Sequence, residues 1–243
     1  DPTNPKNRRS RCSLLVEQFA VGAERPTRFI VDTSPDLREQ LLRADVAALD
    51  AVLFSHDHAD QTHGIDDLRV VAFVTRQRVP VYMDEETSRK LTHRFDYCFK
   101  SPHGSPYPAI LEERRLPPPG ERFEVGGPGG DLEIIPLMQA HGGTHSLGFR
   151  VRRFAYSNDV SDMPEETFER LHELDVWVLD ALRYTPHPTH VHVEKALQWI
   201  ERLKPKRTFL TNLHIDLDYE TLKSELPDGV EPAFDGLSVE ISG

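Results

Sequence analysis

Sulfur is scarce in this chain. Its 243 residues include two cysteines, Cys12 and Cys98, far apart and without C-x-x-C spacing. That excludes a disulfide framework and a thiolate zinc knuckle, and each cysteine is expected to pack as a small hydrophobe. Long apolar runs are missing too: hydrophobic content is 38%, and nothing approaches the roughly 20 consecutive apolar residues that span a bilayer. No membrane partner is expected. Positive charge is in deficit, with 29 basic against 40 acidic residues and a net charge of −11. Long nucleic acid is therefore an unfavourable partner, because its affinity rests on neutralising phosphates. A small phosphate-bearing ligand stays open, since a bound dication reverses the local field. The opening residues 1–9 are polar and proline-bearing, so no secretory leader and a cytoplasmic location are expected. The short basic segment from Lys6 to Arg11 is expected to be a solvated terminus. No repeat, low-complexity tract or linker divides the chain, and a single domain over 1–243 is expected.

Histidine, by contrast, is concentrated. The run Ser55-His56-Asp57-His58-Ala59-Asp60-Gln61-Thr62-His63-Gly64 follows the apolar stretch 51–54. Imidazole nitrogen and carboxylate oxygen crowded onto one turn are ligands that zinc, manganese and iron accept. The plainer alternative is a solvated loop that happens to be rich in histidine.

Patterning places that run on a strand-to-helix loop. Strands are expected over 13–19 and 28–32, paired across a Gly/Pro-containing loop. Ser34 is read as an N-cap with Pro35 at the first position of a helix running through Leu42. A short buried strand covers 51–54, and apolar residues at 65, 68, 71 and 72 give helical spacing over 65–76. The segment 101–119 is rich in Pro, Ser, Gly and aromatics and reads as irregular, either covering a site, mediating dimer contacts or forming a surface loop. Beyond it, strands are expected at 132–137, 147–151, 154–157, 176–179 and 207–211, with helices at 165–172 and 193–203.

Three later strands repeat the first pattern, ending where a metal-competent side chain follows: His141 after 134–137, Asp159 after 154–157, and Asn212 and His214 after 207–210. Strands that all terminate in such residues build a site along one edge. The order H-x-H-x-D, then His, then Asp, then a late strand with a ligand resembles the metallo-β-lactamase superfamily over nearly the whole chain. Asn4-Pro5-Lys6-Asn7-Arg8-Arg9, Val31-Asp32-Thr33-Ser34-Pro35-Asp36-Leu37-Arg38 and Gly64-Ile65-Asp66-Asp67-Leu68-Arg69 resemble the subgroup that includes the cyclic-ribose phosphodiesterase of phosphonate breakdown. At greater distance the chain is similar to the tRNA 3′-processing nucleases.

The resemblance implies an α/β fold, an αββα sandwich, with a further Gly-rich strand ahead of the Asn-Pro-Lys segment that is expected to be missing here. It implies a first metal site of His56, His58 and His141, with Asp159 bridging to a second site that includes Asp60. The family places histidines where this chain has Gln61 and Asn212. Carboxamides hold transition metals weakly through oxygen. Three outcomes stay open: one metal only; a hard ion such as manganese or magnesium on oxygens of Asp60, Asp159, Gln61 or Asn212; or His63 and His214 as substitute ligands.

The expected activity is that of a metal-dependent hydrolase acting on a small nucleotide-like or cyclic ribose phosphate. The cofactor is a divalent metal, zinc or manganese, which lowers the pKa of bound water. Asp60 and Asp159 orient the attacking water. The resemblance gives His190 contact with the substrate phosphate and protonation of the leaving oxygen; its plain alternative is a surface residue at a helix start. His145, Arg69 and Arg183 are candidate substrate contacts, each with an ordinary turn or ion-pair alternative. Asp32 either orients a metal-bound histidine or only initiates a helix, and His93, His103 and His172 are expected to lie on the surface. The rival readings are a phosphate- or nucleotide-binding protein with little turnover, and a tRNA-processing nuclease. A homodimer is expected from the habit of the fold.

Overall fold

The computed structural model describes residues 1–101 and 103–241. They divide into two compact units, one of Arg11–Pro117 and Phe123–Glu133, the other of Asp1–Ser10, Pro118–Arg122 and Ile134 onward.

In the unit that carries the histidine run, β1 (Leu14–Gln18) pairs antiparallel with β2 (Thr27–Val31). The chain continues through α1 (Leu37–Arg43), β3 (Ala51–Leu53), α2 (Ala59–Thr62) and α3 (Leu68–Thr75). Next come β4 (Val79–Met83), α4 (Glu85–Arg94), α5 (Asp96–Phe99), β5 (Leu111–Arg115) and β6 (Phe123–Val125). Strands β1 to β5 form one sheet in sequence order, with β2 through β5 parallel. Parallel strands bury both faces, which is why β3 reads Ala-Val-Leu without a polar residue. Ile30, Val52, Phe54, Ile65, Leu68 and Val81 form the core of this unit.

The other unit contains β7 (Leu132–His141) from Ile134 onward, β8 (Thr144–Val151), β9 (Phe154–Ser157), α6 (Glu165–Glu169) and β10 (Val176–Asp180). They are followed by α7 (Val193–Leu203), β11 (Arg207–Thr211), α8 (Tyr219–Glu225) and β12 (Val230–Pro232). The sheet order is β12-β11-β10-β9-β8-β7, antiparallel from β7 to β9 and parallel from β9 to β12. Helix α7 buries Ala196, Trp199 and Leu203 on one stripe. Trp177 is fully buried and satisfies its indole N–H on Ser157 Oγ at 3.1 Å.

Several expectations need correction. Helix α1 starts at Leu37, because Ser34 Oγ accepts the Asp36 N–H at 3.1 Å and closes a turn instead of capping a helix. Residues 65–67 are a 3₁₀ turn ahead of α3. The segment 101–119 contains β5, whose Leu-Glu-Glu-Arg-Arg sequence buries only Leu111 and so lacks strand alternation; Pro102 of that segment lies outside the described residues. Strand β7 runs on to His141 itself, and α6 stops at Glu169. The fold class is the expected mixed α/β. Cys12 and Cys98 are thiols rather than disulfide partners, and Cys98 is fully buried. Among the described residues no helix is long and apolar enough to cross a membrane.

Candidate functional site

In the first unit the loop after β3 is built from Asp32, which is fully buried with φ +65. Its carboxylate accepts the Ser55 N–H at 2.8 Å and the Ser55 hydroxyl at 2.7 Å. The single hydroxyl hydrogen is thereby used. Ser55 Oγ, 2.9 Å from His56 Nδ1, must therefore accept, so Nδ1 carries the proton and Nε2 keeps its lone pair. Of the two readings of Asp32, the hydrogen bonds fit the one in which it orients His56, here through Ser55. The His58 ring stands edge-on to His56 at 4.5 Å.

Asp57, between the two histidines, turns the other way. It pairs with Lys90 Nζ at 2.8 Å and Arg94 Nη2 at 3.1 Å, while Arg94 also donates to the Asp57 carbonyl at 2.7 Å. Burial works to raise its carboxyl, but these two cations outweigh it and hold the group below the ordinary range. Helix α4 thus anchors the loop. Asp60 and Gln61 stand in α2, where Gln61 is buried and its carbonyl accepts the Thr33 N–H at 2.8 Å. Gly64 donates to the Thr33 carbonyl, and a Cβ there would lie 2.0 Å from Ser34 O, so only glycine lets these loops meet. His63 is exposed and packs edge-on to Phe95 at 5.8 Å. Arg69 is engaged by Asp66 at 2.6 Å, the ion-pair alternative for that residue.

The second unit brings its candidates to the ends of β7, β9, β10 and β11. His141 closes β7, and its Nδ1 meets the Thr189 carbonyl at 2.7 Å, which again leaves Nε2 as the lone-pair nitrogen. Gly142 turns the hairpin at φ +63, and a Cβ there would sit 2.5 Å from Thr189 Cγ2. Asp159 follows β9, buried at φ +52. Its backbone carbonyl accepts Ser146 Oγ at 2.7 Å, and Gln139 ties Ser146 to the Asn158 carbonyl. Main-chain bonds lace these ends together: Ala181 N to Thr211 O, Leu182 N to Val191 O, and Val191 N to Val160 O.

Asp180, the last residue of β10, is a site residue that sequence reasoning missed. It is fully buried, and its Oδ2 accepts the Val160 N–H at 3.1 Å and pairs with His190 Nδ1 at 2.8 Å. Burial pushes its carboxyl above the ordinary range, against hydrogen bonds from His190, Val160 and Asn212. The signal was available: Val-Trp-Val-Leu-Asp is one more apolar strand ending in a ligand-type residue. His190 is half-buried rather than a surface residue, and its ring stands 4.9 Å from His141. Asn212, at φ +58 after β11, donates Nδ2 to Asp159 Oδ1 at 2.8 Å and lies 3.3 Å from His190 Nδ1. His214 is exposed beside Asp216 at 3.0 Å, and His145 sits on β8 opposite Ala140. Arg183 is spent on the Thr185 and Pro186 carbonyls.

The basic segment at the start of the chain is not merely solvated. Arg9 donates to the carbonyls of Leu213, His214 and Leu217, and Asn7 accepts the Tyr219 N–H at 2.8 Å. It clamps the loop that follows Asn212.

Residues 27–215 match the family described as the β-lactamase superfamily domain. The chain belongs to the β-lactamase superfamily. Within it, the chain is similar to a crystal structure described as a new diphosphatase from the PhnP family. Identity is 36% and the TM-score 0.86, over 99% of this chain and 88% of that one. Zinc-bound PqqB from Methylobacterium extorquens shares the fold at 15% identity and a TM-score of 0.74, over 99% and 90% of the chains. The short form of human tRNase Z does so at 15% and 0.67, over 97% and 95%. Among curated proteins the chain is similar to the octanoyltransferase of Porphyromonas gingivalis (strain ATCC BAA-308 / W83), 32% identical over 240 residues. That match covers 97% of this chain but 46% of the relative, so the chain spans about half its length. The metallo-β-lactamase type of fold expected from the sequence is thereby shown. Oriented imidazoles and buried carboxylates on this fold make a donor set suited to a divalent ion.

Proposed function

We propose that this protein is a metal-dependent hydrolase of small phosphodiesters, nucleotide-like or cyclic ribose phosphates. The single observation that carries the reading is the pairing of half-buried His190 with fully buried Asp180 at 2.8 Å, which fixes Nδ1 of His190 and makes Nε2 the nitrogen for proton transfer. Superfamily membership and the diphosphatase relative at 36% identity support it.

The proposed metal ligands are His56, His58, His141 and Asp159. A bound zinc or manganese ion supplies Lewis acidity at the phosphoryl group. The chain's own residues do the rest. Asp60 and Asp159 orient the attacking water, and His190 contacts the phosphate and gives a proton to the departing oxygen. His145 and Arg69 are proposed as lesser phosphate contacts, Arg69 serving only by leaving Asp66.

A second reading, a phosphate-binding protein with little turnover, is favoured by the carboxamides at Gln61 and Asn212. The nuclease reading is disfavoured by the net charge of −11. The octanoyltransferase name belongs to a protein more than twice as long as its match here, and acyl transfer serves as a control.

The test is a substrate panel for protein reconstituted with zinc and then with manganese: an aryl phosphodiester, a 2′,3′-cyclic ribonucleotide, a dinucleoside diphosphate, a phosphomonoester and an octanoyl thioester. Diester turnover that disappears in His141→Ala is the expected result. Tight nucleotide binding without turnover in either metal supports the binding-protein reading, and turnover of the thioester alone removes the phosphodiesterase reading.

A further inference from the structure

Asp159, Asp180 and His190 belong to one unit, and their ligand atoms all lie within 4.8 Å of one another. His190 Nδ1 is 2.8 Å from Asp180 and 3.7 Å from Asp159. Two buried carboxylates this close need a positive partner, and a cation is the usual one. The side chain actually present among them is the amide of Asn212. Its Nδ2 is 2.8 Å from Asp159 Oδ1 and 3.3 Å from His190 Nδ1.

We propose that the amide of Asn212 takes the place of a second cation, so that the chain binds one divalent ion rather than two. An NH₂ group is a donor, and here it gives a hydrogen to the buried Asp159 carboxylate beside Asp180. The nitrogen must be the end that faces Asp159, because the amide oxygen would set acceptor against acceptor. A metal ion at about 2.0–2.2 Å from the same oxygens would overlap that nitrogen. The donors of this group therefore do not fit a second ion while Asn212 is in place. The backbone helps: Asn212 sits at φ +58, a left-handed conformation that asparagine accepts more readily than most residues. In the other unit, Gln61 is likewise a carboxamide where the resemblance implies histidine, so two departures point the same way. Asn212 is thus a positioning residue that holds Asp159 through Oδ1 and fills the place of a second ion, while the other Asp159 oxygen is the one that would meet the single proposed ion.

This inference rests on the proposed metal-dependent hydrolase, and its test separates the two. Wild-type protein and the Gln61→His/Asn212→His variant are loaded with excess manganese or zinc, desalted, and analysed for metal per chain by plasma mass spectrometry. About one ion in wild type and close to two in the variant is the expected result. Two ions in wild type overturn the inference and leave the hydrolase reading standing, whereas none in wild type overturns both. A second readout needs no metal. Asn212→Asp replaces the donor by a third carboxylate, so its chelator-treated form should melt lower by roughly 10 °C and recover when manganese is added. Equal melting of the chelated wild type and Asn212→Asp would show that the amide holds nothing in place of a cation.

Discussion

His56 and Asp159 each stand just beyond the end of a strand, yet their neighbours prepare them for opposite work. Around His56 the hydrogen of Nδ1 is absorbed by Ser55, itself fixed on Asp32, and the lone pair of Nε2 is left to bind. Around Asp159 an oxygen is met by the amide hydrogen of Asn212, and the adjacent Asp180 is met by His190. One loop presents a lone pair for a cation; in the other, Asn212 already meets one oxygen of Asp159 and His190 one oxygen of Asp180. A ligand-type residue at a strand end is therefore not yet a ligand, and the partner behind it decides.

Breaking the internally supplied side has the largest expected effect. Asp180→Asn keeps the shape but no longer fixes the proton on Nδ1 of His190, and kcat should fall by about 10²–10⁴ with KM little changed. A fall in KM-dependent terms alone would show that Asp180 acts on binding. On the cation-presenting side, Ser55→Ala removes the link from Asp32 to His56. Metal affinity, read by competition with a chelator, should weaken by about 10–100-fold while diester turnover at saturating metal largely survives.

Asp57→Asn sharpens the comparison within the histidine loop, since Asp57 faces Lys90 and Arg94 rather than any ligand position. It should cost about 1 kcal/mol in urea unfolding of chelated protein. That carboxyl lies below its ordinary value in the folded state, so its contribution is full above the unfolded carboxylate pKa and fades as pH falls through the lowered folded value. The smallest effect concerns Cys98, whose thiol is pushed up to about 11, first by burial and then by Asp66. A raised folded value means stability that is complete below the unfolded thiol pKa and declines as pH rises toward about 11. Cys98→Ala should flatten that decline, and a thiol reagent at neutral pH should modify Cys12 before Cys98.

Much of the fold could be read because periodicity and burial coincide. Helix α7 has its apolar stripe at Val193, Ala196 and Trp199, and β3 is an apolar run bounded by turns. Strand β5 was hidden because a charged strand with one buried residue has no alternation to read. Helix α4 escaped because its buried face is Thr87, Ser88 and Leu91, mostly polar. In the candidate site the residues at strand ends other than Asp180 could be picked out, but their partners could not. Ser55 between Asp32 and His56, the Thr189 carbonyl behind His141, and Asp180 behind His190 are long-range contacts that no local spacing encodes. Arg9 was read as a solvated basic residue because its acceptors are backbone carbonyls far along the chain.

The proposal that His190, held by Asp180, protonates the departing oxygen is tested most directly by comparing two leaving groups. Wild type and His190→Ala are assayed on an alkyl phosphodiester, whose leaving alkoxide needs a proton, and on a nitrophenyl diester, whose phenolate does not. The account predicts a loss of about 10²–10⁴ on the alkyl ester and a much smaller loss on the nitrophenyl ester. Equal losses on both would contradict it and leave His190 as a phosphate-binding residue only.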